Sequence, residues 1–399
     1  MSDAPLASSA PPRTGFFAAP LWLVGFRPFF ALACLTGATL PLTWVAILSG
    51  AFPAPRVPFS IVQWHAHEMF YGFGWAVLGG FLLTSTKNWV GVRGWHGAPL
   101  ALLASAWLVE RGGMWFAREL PPWLFRVSNN VFLASAVVML LATLLLHREK
   151  DTFKDNVIFI AVLPVFLGAK WLLLSTDHQA LGVSMTLGLF RVAFLVMLER
   201  TLTQFIKGGF QVQLPRHLAL DGAIKALGVA LVFEGFAAPL LSAAAALLLA
   251  TLLLVRFAIW KPQLGFRRLE LAVMYLGYLG LVGQLVLEFG GRLVPHAWAG
   301  TLPLHVFTLG TMGLIIPAMV VRLARGHTGR KVEFDRGDRA VLWVMLAAFG
   351  FRVVATQFDA EGYQRWLTAA AACWALGFGT LLLRYLPFLA RPRVDGKEH

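Results

Sequence analysis

From residue 22 to residue 389 the chain is a succession of long apolar runs separated by short connections, the longest around 200–216 and 324–338. The hydrocarbon core of a bilayer takes about 20 predominantly apolar residues of α-helix to cross, and inside lipid every backbone N–H and C=O must be satisfied within the spanning element itself. Applied along the sequence, that ruler predicts helices over 22–49, 60–86, 97–116, 122–147, 156–175, 179–199, 217–236, 239–260, 268–289, 300–323, 339–357 and 365–389. The fold expected is therefore all-α: a polytopic integral membrane protein with twelve transmembrane helices. Pro239 and its neighbours alone divide the seventh span from the eighth. A soluble domain is excluded, because 58% of the 399 residues are hydrophobic and 14% are charged, against roughly a quarter charged in an average soluble domain. The short connections leave no room for a second domain, so 21–390 is expected to form one membrane domain, with 391–399 as a tail. The Ala/Pro/Ser-rich stretch 1–20 has one arginine and no compact apolar core ahead of a small-residue cleavage site. It is expected to be a disordered cytoplasmic leader rather than a signal peptide.

A formal net charge of +14 would suggest a nucleic-acid partner in a soluble chain. Here the Lys and Arg residues fall in the gaps between apolar runs, so the basicity reads as membrane topology and no nucleic-acid partner is expected. Counted over alternate connections, 21 Lys and Arg lie on one side, whereas Arg56, Arg118, Arg292 and Arg365 are the 4 on the other. Cytoplasmic loops hold the excess, which places both termini in the cytoplasm. Cys34 and Cys373 both sit inside apolar runs, so neither a disulfide framework nor a thiolate metal cluster can be built. Any metal must be held by His, Met or Glu, or carried by a cofactor.

Ionisable residues inside spanning helices are costly, and each is a functional hypothesis by default. The densest group is WHAHEM, with Trp64, His65, His67, Glu68 and Met69 on the second helix. Ser60 followed by Gln63 is a capping-box pattern, which starts this helix near the outer surface and puts the two histidines roughly 8–10 Å down it at 1.5 Å per residue. A single histidine on an apolar helix is more often a hydrogen-bonded core residue than a ligand; two histidines and a glutamate within four residues reverse that weighting. Residues two apart lie about 200° apart around a helix, so His65 and His67 cannot share one ion without distortion. On the tenth helix His305 lies at comparable depth, with Met312 and Met319 on much the same face. Imidazoles at matched depth on separate helices suit the axial positions of a b-type haem, and His with Met or carboxylate suits copper. Other buried polar groups of the outer half are Glu110 with Arg111, Arg126 with Asn130, Glu234, Gln284 and Glu288, with Arg191 near mid-membrane. Glu68, Glu110 and Glu288 are candidates for proton relay, with ion pairing to a nearby arginine as the plainer alternative. His178 and His296 fall in outer connections, where a solvated role is expected. At the inner end of the tenth helix, VVRLARGHTGR sets His327 between Gly326 and Gly329. His327 is a candidate ligand of a second site, since ~33 Å of helix separates it from His305.

Several stretches resemble the NnrS family of bacterial membrane proteins: GFRPFF (Gly25 to Phe30), WHAHEMFYGF (Trp64 to Phe73), GFLLTSTKNWVG (Gly80 to Gly91), LHVFTLGTMG (Leu304 to Gly313) and RLARGHTGR (Arg322 to Arg330). They run from the first helix to the tenth, and HAHEM together with GHTGR is a specific combination. Thr86-Lys87 is a small local departure. The resemblance implies a twelve-helix protein of the bacterial inner membrane that carries haem and copper and acts in nitric oxide metabolism or resistance to nitrosative stress. In that reading His65 or His67 pairs with His305 on haem b, and the remaining histidine with Glu68 or Met69 is the copper candidate. Arg126 would pair with haem propionates. Nitric oxide is the small-molecule ligand or substrate, and a haem/copper oxidoreductase would further need an electron donor, which the sequence leaves unknown. Two other classes compete: a twelve-helix secondary transporter, and a haem protein that binds nitric oxide for electron transfer or sensing without turnover.

Overall fold

The computed structural model describes residues 15–294 and 301–397, and among these the regular structure is helical, without strands. We number the principal helices α1 (Phe26–Leu48), α2 (Ile61–Trp89), α3 (Ala98–Trp115), α4 (Pro122–Leu146), α5 (Val157–Leu174), α6 (Gln179–Phe210), α7 (Leu218–Ala230), α8 (Pro239–Ile259), α9 (Leu269–Leu293), α10 (Leu302–Gly326), α11 (Arg336–Phe358) and α12 (Tyr363–Leu389). Ten of them are long and apolar enough to cross a membrane, which makes the chain a polytopic membrane protein. The other two, α3 and α7, are helical where spans were expected. Helix α3 carries the charged pair Glu110 and Arg111, and α7 is 13 residues long and tightens into a 3-10 stretch over Leu231–Phe236. The leader expected over 1–20 overlaps the described residues only in its last part, where Phe16–Ala18 and Pro20–Trp22 form single turns. His296 lies outside the described residues.

Boundaries match the apolar runs except on α6, which continues to Phe210 rather than ending near 199. Its added turns are polar but inward-facing: Arg200 donates to Asn156 and Asp155 at 2.8 Å and lies over the rings of Trp89 and Phe153. Hydropathy alone ends a helix where charge begins, whereas these charges are paired inside the protein. The start of α2 follows the sequence pattern closely. The Gln63 N–H donates to Ser60 Oγ and the Ser60 N–H to Gln63 Oε1, a complete capping box.

Helix α1 packs between α2 and α12, and α9 packs against α8 and α10. The α9–α10 crossing is close because glycine lies there. A Cβ at Gly280 would stand 2.9 Å from the Gly310 carbonyl carbon and 3.0 Å from the Thr311 nitrogen, and Thr311 Oγ1 donates to the Gly277 carbonyl at 3.0 Å. Gly280→Val is therefore expected to force the two backbones apart at a cost of about 1–3 kcal/mol, read as a lower melting temperature in detergent. An unchanged melting temperature would refute the close crossing.

Three helices contain a π-helical segment, a wide turn that accommodates one extra residue: Glu68–Gly74 in α2, Val306–Met312 in α10 and Gly350–Ala355 in α11. Such segments are rare and often found at functional sites. Here each one contains or directly follows a buried ionisable or imidazole group.

Candidate functional site

The first of these groups is a side-chain cluster where α1, α2, α10 and α11 meet. His65 on α2 is half-buried and stacks on Trp44 of α1, with ring centroids 4.2 Å apart and planes 15° apart. His305 on α10 is also half-buried, and its Nδ1 lies 2.9 Å from both the carbonyl and the hydroxyl of Thr301 one turn earlier. Arg352 on α11 is buried, and its Nη2 stands 3.3 and 3.4 Å from the two ring nitrogens of His305. His65, His305 and Arg352 all lie within electrostatic reach of one another. Several of their polar atoms have no hydrogen-bond partner although buried: His65 Nδ1, and Arg352 Nε and Nη1. Buried donors and acceptors are normally satisfied, so these atoms mark a place built for something else.

His67, two residues on from His65, faces a different set of neighbours, as the angular spacing required. Its Nδ1 is 3.0 Å from Glu68 Oε1 and its Nε2 is 3.3 Å from Glu110 Oε1 on α3. Arg111 bridges the two carboxylates, at 3.1 Å from Glu68 and 2.8 Å from Glu110. Lys170 of α5 completes the group, donating to Glu110 and to the Asn129 carbonyl of α4. The geometry depends on the widened turn in α2. A Cβ at Gly72 would stand 2.3 Å from Arg111 Nη1, and the Gly72 carbonyl accepts from Trp107 Nε1 at 3.0 Å. A side chain at this position would push the guanidinium off the helix backbone and away from its place between the two carboxylates. With two anions, two cations and one imidazole, the cluster is charge-balanced when His67 is neutral.

The other candidates lie elsewhere. Glu288 pairs with Arg191 at 3.2 Å, and Arg191 also donates to Gln284 and to the Leu231 carbonyl; the plainer expectation of an ion pair describes it. Arg126 is exposed on α4, and the polar residues that follow it inward are Ser128 and Asn129. Met69 is partly buried among apolar neighbours. Met312 and Met319 line an apolar cavity of about 70 Å3 between α1, α2, α6 and α10, together with Phe30, Phe190 and Phe194. His178 is close to Ser175 Oγ, at 3.3 Å, in an exposed connection. His327 follows the C-terminal end of α10 and packs on Phe26. Burial, with Lys87, Arg393 and Arg27 nearby, holds its imidazole down at about 4, so it is neutral at physiological pH.

Arg352 and Lys170 are central to these two clusters and were not among the sequence candidates. Each is a lone cation within an apolar run, and that isolation was the available signal. Their partners stand 47 and 60 positions away in the chain, so no local motif contains them.

The donor sets can be tested against the metals. A haem brings its own four nitrogens and asks the protein for one or two axial donors. His305 has its Nδ1 tied to Thr301 and would give up the contact of its Nε2 with Arg352, 3.4 Å away, while His65 keeps an unpartnered ring nitrogen, so the two imidazoles are the donor type a haem asks for. Among the described residues no group of three or more His, Cys, Asp or Glu side chains is arranged so that it could hold a metal ion by itself. Fold and site together define a polytopic, all-helical membrane protein with a two-histidine, one-arginine cluster beside a buried ion network. The chain belongs to the NnrS protein family, whose model matches residues 20–393. Among curated proteins no match is found.

Proposed function

We propose that this is a haem-containing protein of the bacterial inner membrane that binds nitric oxide, in nitric oxide metabolism or resistance to nitrosative stress. The observation that carries the reading is the convergence of His65, His305 and Arg352 with buried, unpartnered nitrogens; family membership supports the connection to nitric oxide. We further infer twelve crossings with both termini cytoplasmic, from the alternation of Lys and Arg between connections, which puts the site in the periplasmic half. A haem held there would supply an iron able to take up a small diatomic ligand. His65 and His305 would hold it, with Thr301 fixing the His305 ring and Trp44 fixing the His65 ring. Arg352 has donors left for an anionic group such as a propionate, the role first expected of Arg126. Copper belongs to this reading through the family resemblance, and no ligand set is assigned to it. In the neighbouring cluster His67 Nδ1 shares a hydrogen bond with Glu68 Oε1 at 3.0 Å, a pair suited to holding a proton near the site, while Glu110 lies 3.3 Å from His67 Nε2 without a hydrogen bond between them.

The test is an optical spectrum of the purified protein, oxidised and dithionite-reduced, with and without nitric oxide, alongside iron and copper analysis. A Soret band that shifts with nitric oxide is expected. A colourless, iron-free protein, after expression with ample haem, would overturn the proposal and favour a twelve-helix transporter.

A further inference from the structure

The inner ends of α1, α10 and α12 meet in a cluster of cations that the histidine site does not use. Arg27, in the first turn of α1, is completely buried. Its Nη1 donates to the carbonyls of Leu389 at 2.9 Å and Arg391 at 2.7 Å, while Nε and Nη2 have no hydrogen-bond partner. The charged groups acting on it are themselves cations, Arg393 and Arg330. Arg330 lies over the ring of Phe388 at 4.0 Å. The C-terminal segment covers this place: the Val394 N–H donates to the Thr328 carbonyl at 3.1 Å, and Arg393 Nη1 to the His327 carbonyl at 3.0 Å. The one carboxylate among its described residues, Asp395, is exposed and is spent on Arg393, at 2.9 Å from Nε. Asp395 also sits 2.8 Å from where a Cβ of Gly329 would be, and Gly329 has a φ of +80°. A fully buried guanidinium with like charges as neighbours and two unsatisfied donors is unfavourable without a counter-anion. Three arginines against one carboxylate, at the lipid–water boundary of the basic side, are the setting in which membrane proteins hold phosphate head groups.

We propose that Arg27, Arg330 and Arg393 form a binding site for a phosphate-bearing anion at the inner membrane surface. The anion enters on the Arg330 and Arg393 rim, displaces the Asp395 carboxylate and satisfies the free donors of Arg27. Its source is an anionic phospholipid head group or a soluble phosphate compound, and the site does not depend on the presence of haem.

The experiment is a thermal-melting titration of the full-length purified protein in neutral detergent with phosphatidylglycerol, with phosphatidylcholine and with inorganic phosphate. A saturable rise in melting temperature with phosphatidylglycerol and not with phosphatidylcholine is expected for a lipid site. The same rise with inorganic phosphate assigns a soluble ligand instead. Arg27→Gln raises the half-saturating concentration about tenfold or more, as loss of a charge-assisted hydrogen bond requires. Arg330→Gln, on the rim, does the same in a variant whose folding does not depend on a buried group, and Asp395→Asn lowers the half-saturating concentration. No response to either phosphate probe, or an unchanged response in Arg330→Gln and Asp395→Asn, overturns the site.

Discussion

His305→Ala is expected to remove the proposed haem: the haem-to-protein ratio of the purified variant falls by about a hundredfold or more, at or beyond the upper end of the loss from disturbing only an outer-shell partner. The melting temperature is expected to stay near that of the haem-free wild type. His65→Ala gives the same loss, because its ring faces the same site and the same arginine as His305. His67→Ala behaves differently and keeps its haem, since both ring nitrogens of His67 are turned toward Glu68 and Glu110. Three substitutions on two helices thus separate a ligand pair from a neighbour only two residues away. Full haem content in His305→Ala would end the assignment. A loss in His67→Ala with none in His65→Ala would exchange the roles of the two α2 histidines.

The second large effect is on stability. Glu110 is fully buried and accepts from Lys170, itself buried, while Arg111 and His67 approach within 2.8 and 3.3 Å. Glu110→Ala leaves the Lys170 ammonium in the membrane interior with the Asn129 carbonyl as its remaining hydrogen-bond partner in this cluster. Removing one partner of a buried ion pair costs about 3–5 kcal/mol, so a large fall in melting temperature and in yield is expected. The double variant Glu110→Gln with Lys170→Met removes both charges and should recover much of that loss, because the cost lies in the stranded ion rather than in the missing attraction. A Glu110→Ala protein within about 0.5 kcal/mol of wild type, the range of ordinary surface changes, would show that the network carries no such weight.

Much of the architecture was legible because lipid imposes one length and one polarity on every spanning helix. The capping box at Ser60 and Gln63 fixed the start of α2, and the angular spacing of His65 and His67 separated their neighbourhoods before any partner was known. The methionines show where that arithmetic stops. Positions 7 and 14 beyond His305 share its face only in a regular helix of 3.6 residues per turn. The π-helical turn over Val306–Met312 breaks that count, and Met312 and Met319 line the apolar cavity instead. Arg352 escaped notice for a related reason. It is a lone arginine in an apolar run, and only the packing of α11 beside α10 brings it to His305.

The wide turns also have a consequence for how this sequence tolerates a change of length. A π-helical segment holds one residue more than the α-helix it interrupts. Deleting a single residue between Glu68 and Gly74 would let α2 close into a regular α-helix with the side chains beyond it still in phase, whereas the same deletion in the regular stretch just past Gly74 would turn everything beyond it by about 100°. Leu82 and Leu83, both almost fully buried, would keep their places in the bundle in the first case and lose them in the second. Both deletions would be silent to any test of hydrophobicity and only the second severe for packing, because in this helix the phase of the side chains, more than their chemistry, carries the information that joins the site to the rest of the bundle.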